Sequence, residues 1–107
     1  MAQPSTTREG VHCGQMELSD EARKAIRDAF ADALITLRKQ RGLSQERMAQ
    51  RSRIDRSYAS GLERGEHDPS IQTLYKLVMG MEITWVDFAT QMQKALYRRR
   101  KTLDKAA

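Results

Sequence analysis

The sequence predicts an all-α fold of five helices, and three observations carry that prediction. Apolar residues recur at three- and four-residue spacing in several windows, with no window alternating as a strand would. Serine, threonine or aspartate stands just before most of those windows, where a side-chain oxygen can accept the free N–H groups of a first helical turn. Gly42, Gly65 and Gly80 stand just past three of them, where a helix needs a residue tolerant of left-handed backbone.

The first helix begins after the caps Ser19 and Asp20, and Glu21 suits the positive end of its dipole. It runs to about Gln40, with Ile26, Phe30, Ala33, Leu34 and Leu37 as the core-facing stripe, and ends at Arg41-Gly42. Its early part, Ala22 to Ala29, is expected to pack on a C-terminal helix of its own chain or of a partner, the alternative being that it extends into solvent. Ser44 caps a short second helix that opens on Gln45 and turns Met48 and Ala49 inward. Ser52, Arg53 and Ile54 make a tight turn, and Asp55 caps a third helix carrying Arg56, Ser57, Tyr58, Ser60 and Glu63. Ile54, Ala59 and Leu62 face inward together, and Gly65 ends that helix. Two helices joined by so short a turn form a helix-turn-helix over residues 45–65, whose second helix can enter the major groove of DNA.

Glu66 to Pro69 reads as a loop. Ser70 caps the fourth helix, with Ile71, Leu74, Leu77 and Val78 as its apolar stripe and Gly80 as its end. Thr84 caps the fifth, with Asp87 placed three residues on as in a capping box. Val86, Phe88, Ala89, Met92 and Leu96 form its apolar stripe. The chain thus divides into a flexible arm over residues 1–18, a helical domain over 19–97 and a basic C-terminal tail over 98–107. In that tail Arg98, Arg99, Arg100 and Lys101 either complement the negative end of the fifth helix or touch nucleic acid.

Charge supports the same stretch. The 107 residues hold 19 Lys+Arg against 14 Asp+Glu. From Arg38 to Arg64 there are eight basic residues and three acidic ones, so the whole excess of +5 sits on the helix-turn-helix and its lead-in. A phosphate backbone attracts such a surface by steering and by counterion release. One cysteine, Cys13, rules out an internal disulfide. No apolar run is long enough to span a membrane, and the N-terminus lacks the apolar core of a secretory signal, so a cytoplasmic protein is expected. His12 beside Cys13 is too few ligands for a metal site, and His67 reads as a surface loop residue. No glycine-rich phosphate loop, paired carboxylates or nucleophile–base set is visible, so neither catalysis nor a cofactor is expected.

Gly42-Leu43-Ser44-Gln45, Ala49, Ser57-Tyr58, Leu62-Glu63-Arg64-Gly65, Pro69-Ser70 and Leu74 resemble the phage-repressor type of helix-turn-helix domain. Within it, Ile54 to Arg64 is most similar to the controller proteins of restriction–modification systems. The resemblance implies that Arg56 and Ser57 contact bases, and that Arg38 and Glu63 form a partly buried ion pair joining the first helix to the third. Ser60, one turn along the same face, joins the base readers, and the Arg56 fork fits guanine O6 and N7. Gln45, Arg53, Tyr58, Arg64 and Ser70 are the expected backbone contacts. Two positions depart from the pattern: Arg53 stands where the turn usually has a small residue such as glycine, and Ala59 where a branched aliphatic is usual. A positive φ at Arg53 would be strained, so a reshaped turn is expected. Gly61 reads nothing and lets the groove wall come close.

One such helix reads only a few base pairs, so a homodimer on a pseudo-palindromic operator is expected, with paired dimers on DNA as a further arrangement. Trp85, Phe88 and Met92 are the candidate interface, their alternative being the core of the monomer. The controller resemblance implies a transcription regulator of its own gene and of a linked restriction endonuclease gene. A phage-type repressor, an antitoxin, or a protein-interaction module without DNA binding are the competing readings.

Overall fold

A computed structural model of the chain describes residues 17–106. Residues 1–16, with most of the expected arm and with His12 and Cys13, lie outside the described residues. The described residues form helices and no strand: α1 (Asp20–Gln40), α2 (Gln45–Ser52), α3 (Arg56–Glu63), α4 (Ile71–Met81), α5 (Trp85–Arg98) and α6 (Arg100–Ala106).

The caps stand where local chemistry puts them. Ser19, Ser44 and Ser70 accept from the N–H groups of Ala22, Arg47 and Thr73, and Asp55 accepts from Ser57. Thr84 and Asp87 exchange two 3.0 Å bonds as a full capping box. Gly42 and Gly65 both take left-handed backbone just past α1 and α3. The Leu43 and Glu66 N–H groups then reach back to the carbonyls of Arg38 and Gly61, closing both helix ends.

The core is built from Phe30, Leu34 and Leu37 of α1, Met48 and Ala49 of α2, Ala59 and Leu62 of α3, and Leu77 and Met81 of α4. Ile54, Tyr58, Leu74, Ile83, Phe88 and Met92 pack around it, half-buried. Ala22, Ala25 and Ala29 are buried, so the early part of α1 packs within the chain, against α5 and α6.

Four expectations are corrected. Where a basic tail was expected after residue 97, α6 turns back onto α1, and Arg99 ties the two with a 2.6 Å bond to Asp32. Gly80 does not end α4: it lies inside the helix, where a Cβ would come within 2.8 Å of the Ser52 backbone. The helix ends instead with Glu82 in left-handed backbone, its carboxylate 2.8 Å from Arg51. Ile71, Val86 and Ala89 leave the predicted stripes for solvent, Val86 being 73% exposed. On α5 the inward line runs through Phe88, Met92 and Ala95, one helical step away from Val86 and Ala89. The turn between α2 and α3 is not reshaped, because Arg53 itself adopts φ 56°, ψ 45°. Docking of both helices on α1 and α4 evidently outweighs the strain of an L-residue there, about 1–2 kcal/mol.

Candidate nucleic-acid interface

α3 has an inner and an outer side. Ala59 and Leu62 are buried inside, while Arg56, Ser57 and Ser60 face out and line an open concavity with Gln45 and Asp55. The concavity is the notch between the N-termini of α2 and α3, where free backbone N–H groups converge. Asp55 does not merely crowd it. Its carboxylate accepts from the Ser57 hydroxyl and N–H, and these bonds, with one from the Tyr58 N–H, hold its pKa below the usual carboxylate range. The Ser57 hydroxyl is therefore oriented by the cap. The Arg56 side chain makes no hydrogen bond among the described residues, and its fork of donors is open to solvent.

The inner side is locked by an ion pair. Arg38 Nε donates to Glu63 Oε2 at 2.7 Å and Nη2 to Oε1 at 3.0 Å, while Nη1 donates to the Leu43 carbonyl at 2.9 Å. The side chains are only 14% and 5% exposed. Gln45 Nε2 adds a 3.0 Å bond to the same Glu63 oxygen. The Gln45 amide thus faces a carboxylate, and what it offers a phosphate in this arrangement is the helix N-terminus beneath it.

The remaining expected contacts are distributed as follows. Arg53 is exposed at the turn, and Ser70 is exposed at the N-terminus of α4, where its hydroxyl also meets Thr73. Arg64 lies across the outer face, bonded to the Ser60 hydroxyl and at 2.8 Å to Glu66. Tyr58 is half-buried, its ring stacked on that of His67 at 5.2 Å between centroids. Of the eight basic residues between Arg38 and Arg64, four pair with carboxylates: Arg38 with Glu63, Arg41 and Arg51 with Glu82, and Arg64 with Glu66. Lys39, Arg47, Arg53 and Arg56 have no carboxylate partner among the described residues.

Phe88 packs edge-on against Phe30 at 5.9 Å, and Met92 lies beside it on the core. Of the three candidate interface residues only Trp85 presents a large face to solvent, at 42% exposure. Ile71, Tyr75 and Met79 are also exposed, four residues apart along one side of α4. Of that row the sequence reading used only Ile71, assigned to the core stripe, and left Tyr75 and Met79 aside.

Sequence reasoning placed His67 in a surface loop but did not see what it packs against. Its ring sits over Gly61, where a Cβ would lie 2.7 Å from both Cδ2 and Nε2. A glycine inside an eight-residue helix was the available signal, since it marks a close approach. Among the described residues no group of three or more His, Cys, Asp or Glu side chains gathers to hold a metal, and no helix is long and apolar enough to cross a membrane.

A family model described as helix-turn-helix matches residues 34–88. The uncharacterised HTH-type transcriptional regulator y4dJ of Sinorhizobium fredii is 36% identical over 70 residues, covering 65% of this chain and 86% of that protein. The control protein C.MunI of a Mycoplasma species is 34% identical over 70 residues, 64% of this chain and 95% of that one. Among solved structures, the restriction–modification controller protein C.Esp1396I, as a tetramer in complex with its natural 35 base-pair operator, superposes with a TM-score of 0.64. It is 28% identical, covering 67% of this chain and 95% of that one. The chain therefore belongs to the helix-turn-helix family of DNA-binding transcription regulators.

Proposed function

We propose that the chain binds a specific pseudo-palindromic operator as a dimer, with Arg56, Ser57 and Ser60 at the base edges. Gln45, Arg53, Tyr58, Arg64 and Ser70 would contact the backbone. The observation that carries this reading is Arg56, an unpaired guanidinium at the mouth of a concavity formed by two helix N-termini. A free planar fork there matches the paired acceptors of guanine, while the surrounding N–H groups favour phosphate. The similarity to C.MunI and C.Esp1396I favours a controller: a regulator of its own gene and of a linked restriction endonuclease gene. Self-association would use the exposed end of α5 at Trp85, with Phe88 and Met92 supporting it from beneath. Paired dimers on one operator are in keeping with the tetramer of C.Esp1396I on its own.

Fluorescence anisotropy on duplex DNA from upstream of the chain's own gene tests the reading, against a scrambled duplex at about 150 mM salt, where nonspecific binding weakens. Tight binding to the native duplex alone, lost in Arg56→Ala, is the expected result. Equal, weak and salt-labile binding to both duplexes would leave only a basic surface.

A further inference from the structure

The recognition helix α3 lacks one side chain on its outer face, and a loop fills the gap. On a helix, Ser57, Ser60, Gly61 and Arg64 lie on one side. Gly61 contributes nothing there itself. The His67 ring, carried by the loop after α3, lies against the Gly61 backbone and stacks on Tyr58 with the rings 30° apart. A β-carbon at Gly61 would lie 2.7 Å from the ring and push it from this seat. The loop is held from behind as well: Arg27 of α1 donates Nε to the Gly65 carbonyl at 3.1 Å, and its Nη1 lies 3.8 Å from Asp68. His67 is exposed, so its imidazole is presented to solvent on the face that Ser57 and Ser60 share.

From this arrangement we infer that His67 is a DNA-contacting residue that takes the place of the missing side chain at Gly61, and that it binds as the imidazolium, so that DNA binding takes up a proton. The inference rests on the DNA-binding reading above. Histidine is the side chain whose charge ordinarily changes between pH 5 and 8. The charged groups facing it are few. Glu66, next to it in the loop, is hydrogen-bonded by Arg64 of α3, and those bonds first, with the charge of His67 itself as a smaller cause, hold the Glu66 carboxyl below its usual range. Asp68 on its other side lies near Arg27 of α1. Tyr58 and Gly61 bring no charge. Glu66 is thus shared between Arg64 and the ring and Asp68 lies near Arg27, whereas a duplex adds a dense row of phosphates. Those phosphates favour the imidazolium over the neutral ring, and the extra proton comes from solvent. The sign follows: the DNA-bound ring holds its proton to higher pH than the free one, so affinity is full at low pH and falls as pH rises through neutrality.

The test is anisotropy of the full chain on the upstream duplex and on the scrambled duplex, from pH 6 to pH 8 at fixed salt. Wild-type affinity is expected to fall by about tenfold across that range. His67→Gln should bind independently of pH at the weak, high-pH level, and His67→Arg independently of pH at the tight, low-pH level. His12→Gln controls for the only other histidine and should keep the wild-type slope. Calorimetric titration of wild type in buffers of different ionisation enthalpy reads proton uptake directly, without any variant, and should give a positive number that averages about half a proton per bound complex over that range. Zero uptake, or an undiminished pH slope in His67→Gln, would overturn the assignment while leaving specific DNA binding in place. Binding to neither duplex at any pH would overturn the DNA-binding reading and this inference with it.

Discussion

Replacing Arg38 with methionine removes three hydrogen bonds at once and should be among the most damaging single changes in the molecule. The methionine fills much of the volume of the arginine stem, so little cavity is created. What remains is the Glu63 carboxylate, 5% exposed, with only the Gln45 amide, and the Leu43 carbonyl without its 2.9 Å donor. Breaking a buried pair by removing one partner costs about 3–5 kcal/mol, because the other charge stays buried. For a domain of this size that lowers the melting temperature on the order of 20 °C. Guanidinium unfolding followed by circular dichroism measures the loss, provided the slope with denaturant is unchanged. The decisive comparison is Arg38→Met with Glu63→Leu, which removes both charges. Its loss should be smaller than that of Arg38→Met alone, with a coupling energy of about 2 kcal/mol or more. A single variant costing less than about 1 kcal/mol, or a double variant costing the sum of its parts, would refute the view that the pair is held by burial.

Three further changes follow from the backbone and the caps. Arg53→Gly relieves a left-handed L-residue and should raise stability by about 1 kcal/mol in the same unfolding assay, while lowering DNA affinity in anisotropy through the lost cation. Gly80→Ala drives a methyl into the Ser52 backbone and should cost about 1–3 kcal/mol, whereas Ser52→Ala, which deletes a buried hydroxyl without a partner, should be neutral or slightly stabilising. The Asp55 carboxyl is held below its usual value by bonds to Ser57, so its contribution to stability is present at neutral pH and lost as pH falls below 3.8. Unfolding titrations of wild type and Asp55→Asn, which accepts a bond without a charge, should therefore converge at low pH.

What could be read from the sequence was the chemistry of short range. Each expected cap is an oxygen within three residues of the N–H it accepts, and no tertiary contact is needed to find it. The motif, the inner residues Met48, Ala49, Ala59 and Leu62, and the all-helical class followed from spacing for the same reason. What depended on distant partners was hidden. Val86 and Ala89 fit a helical period as well as Ala95 does, and only the position of Phe30 decides which side of α5 turns inward. Gly80 resembles a terminator until Ser52, far away in sequence, is brought against it. The basic surface looked freer than it is, because Glu82 meets Arg41 and Arg51, and Glu66 meets Arg64, only in the folded chain. The seat of His67 is carried by an absent side chain, a signal that periodicity does not register.

The distribution of these contacts along α3 bears on how the interface works. An isolated helix of eight residues is not stable in water, so its order comes from its neighbours. Those neighbours gather at its C-terminal half: Leu62 in the core, Glu63 in the Arg38 pair, Gly61 under His67, and Gly65 held by Arg27. At the N-terminal end Asp55 fixes the first turn and orients Ser57, and Arg56 alone is left without a partner. A surface ordered in this way meets a ligand with most of its conformational cost already met in folding. The residual cost is the freezing of one arginine side chain, about 1–2 kcal/mol. A bidentate bond to a correct base outweighs that cost, and a mismatched base that leaves the fork half-satisfied does not. On the proposed reading, discrimination would be concentrated in Arg56, the one long side chain of α3 that the fold leaves free.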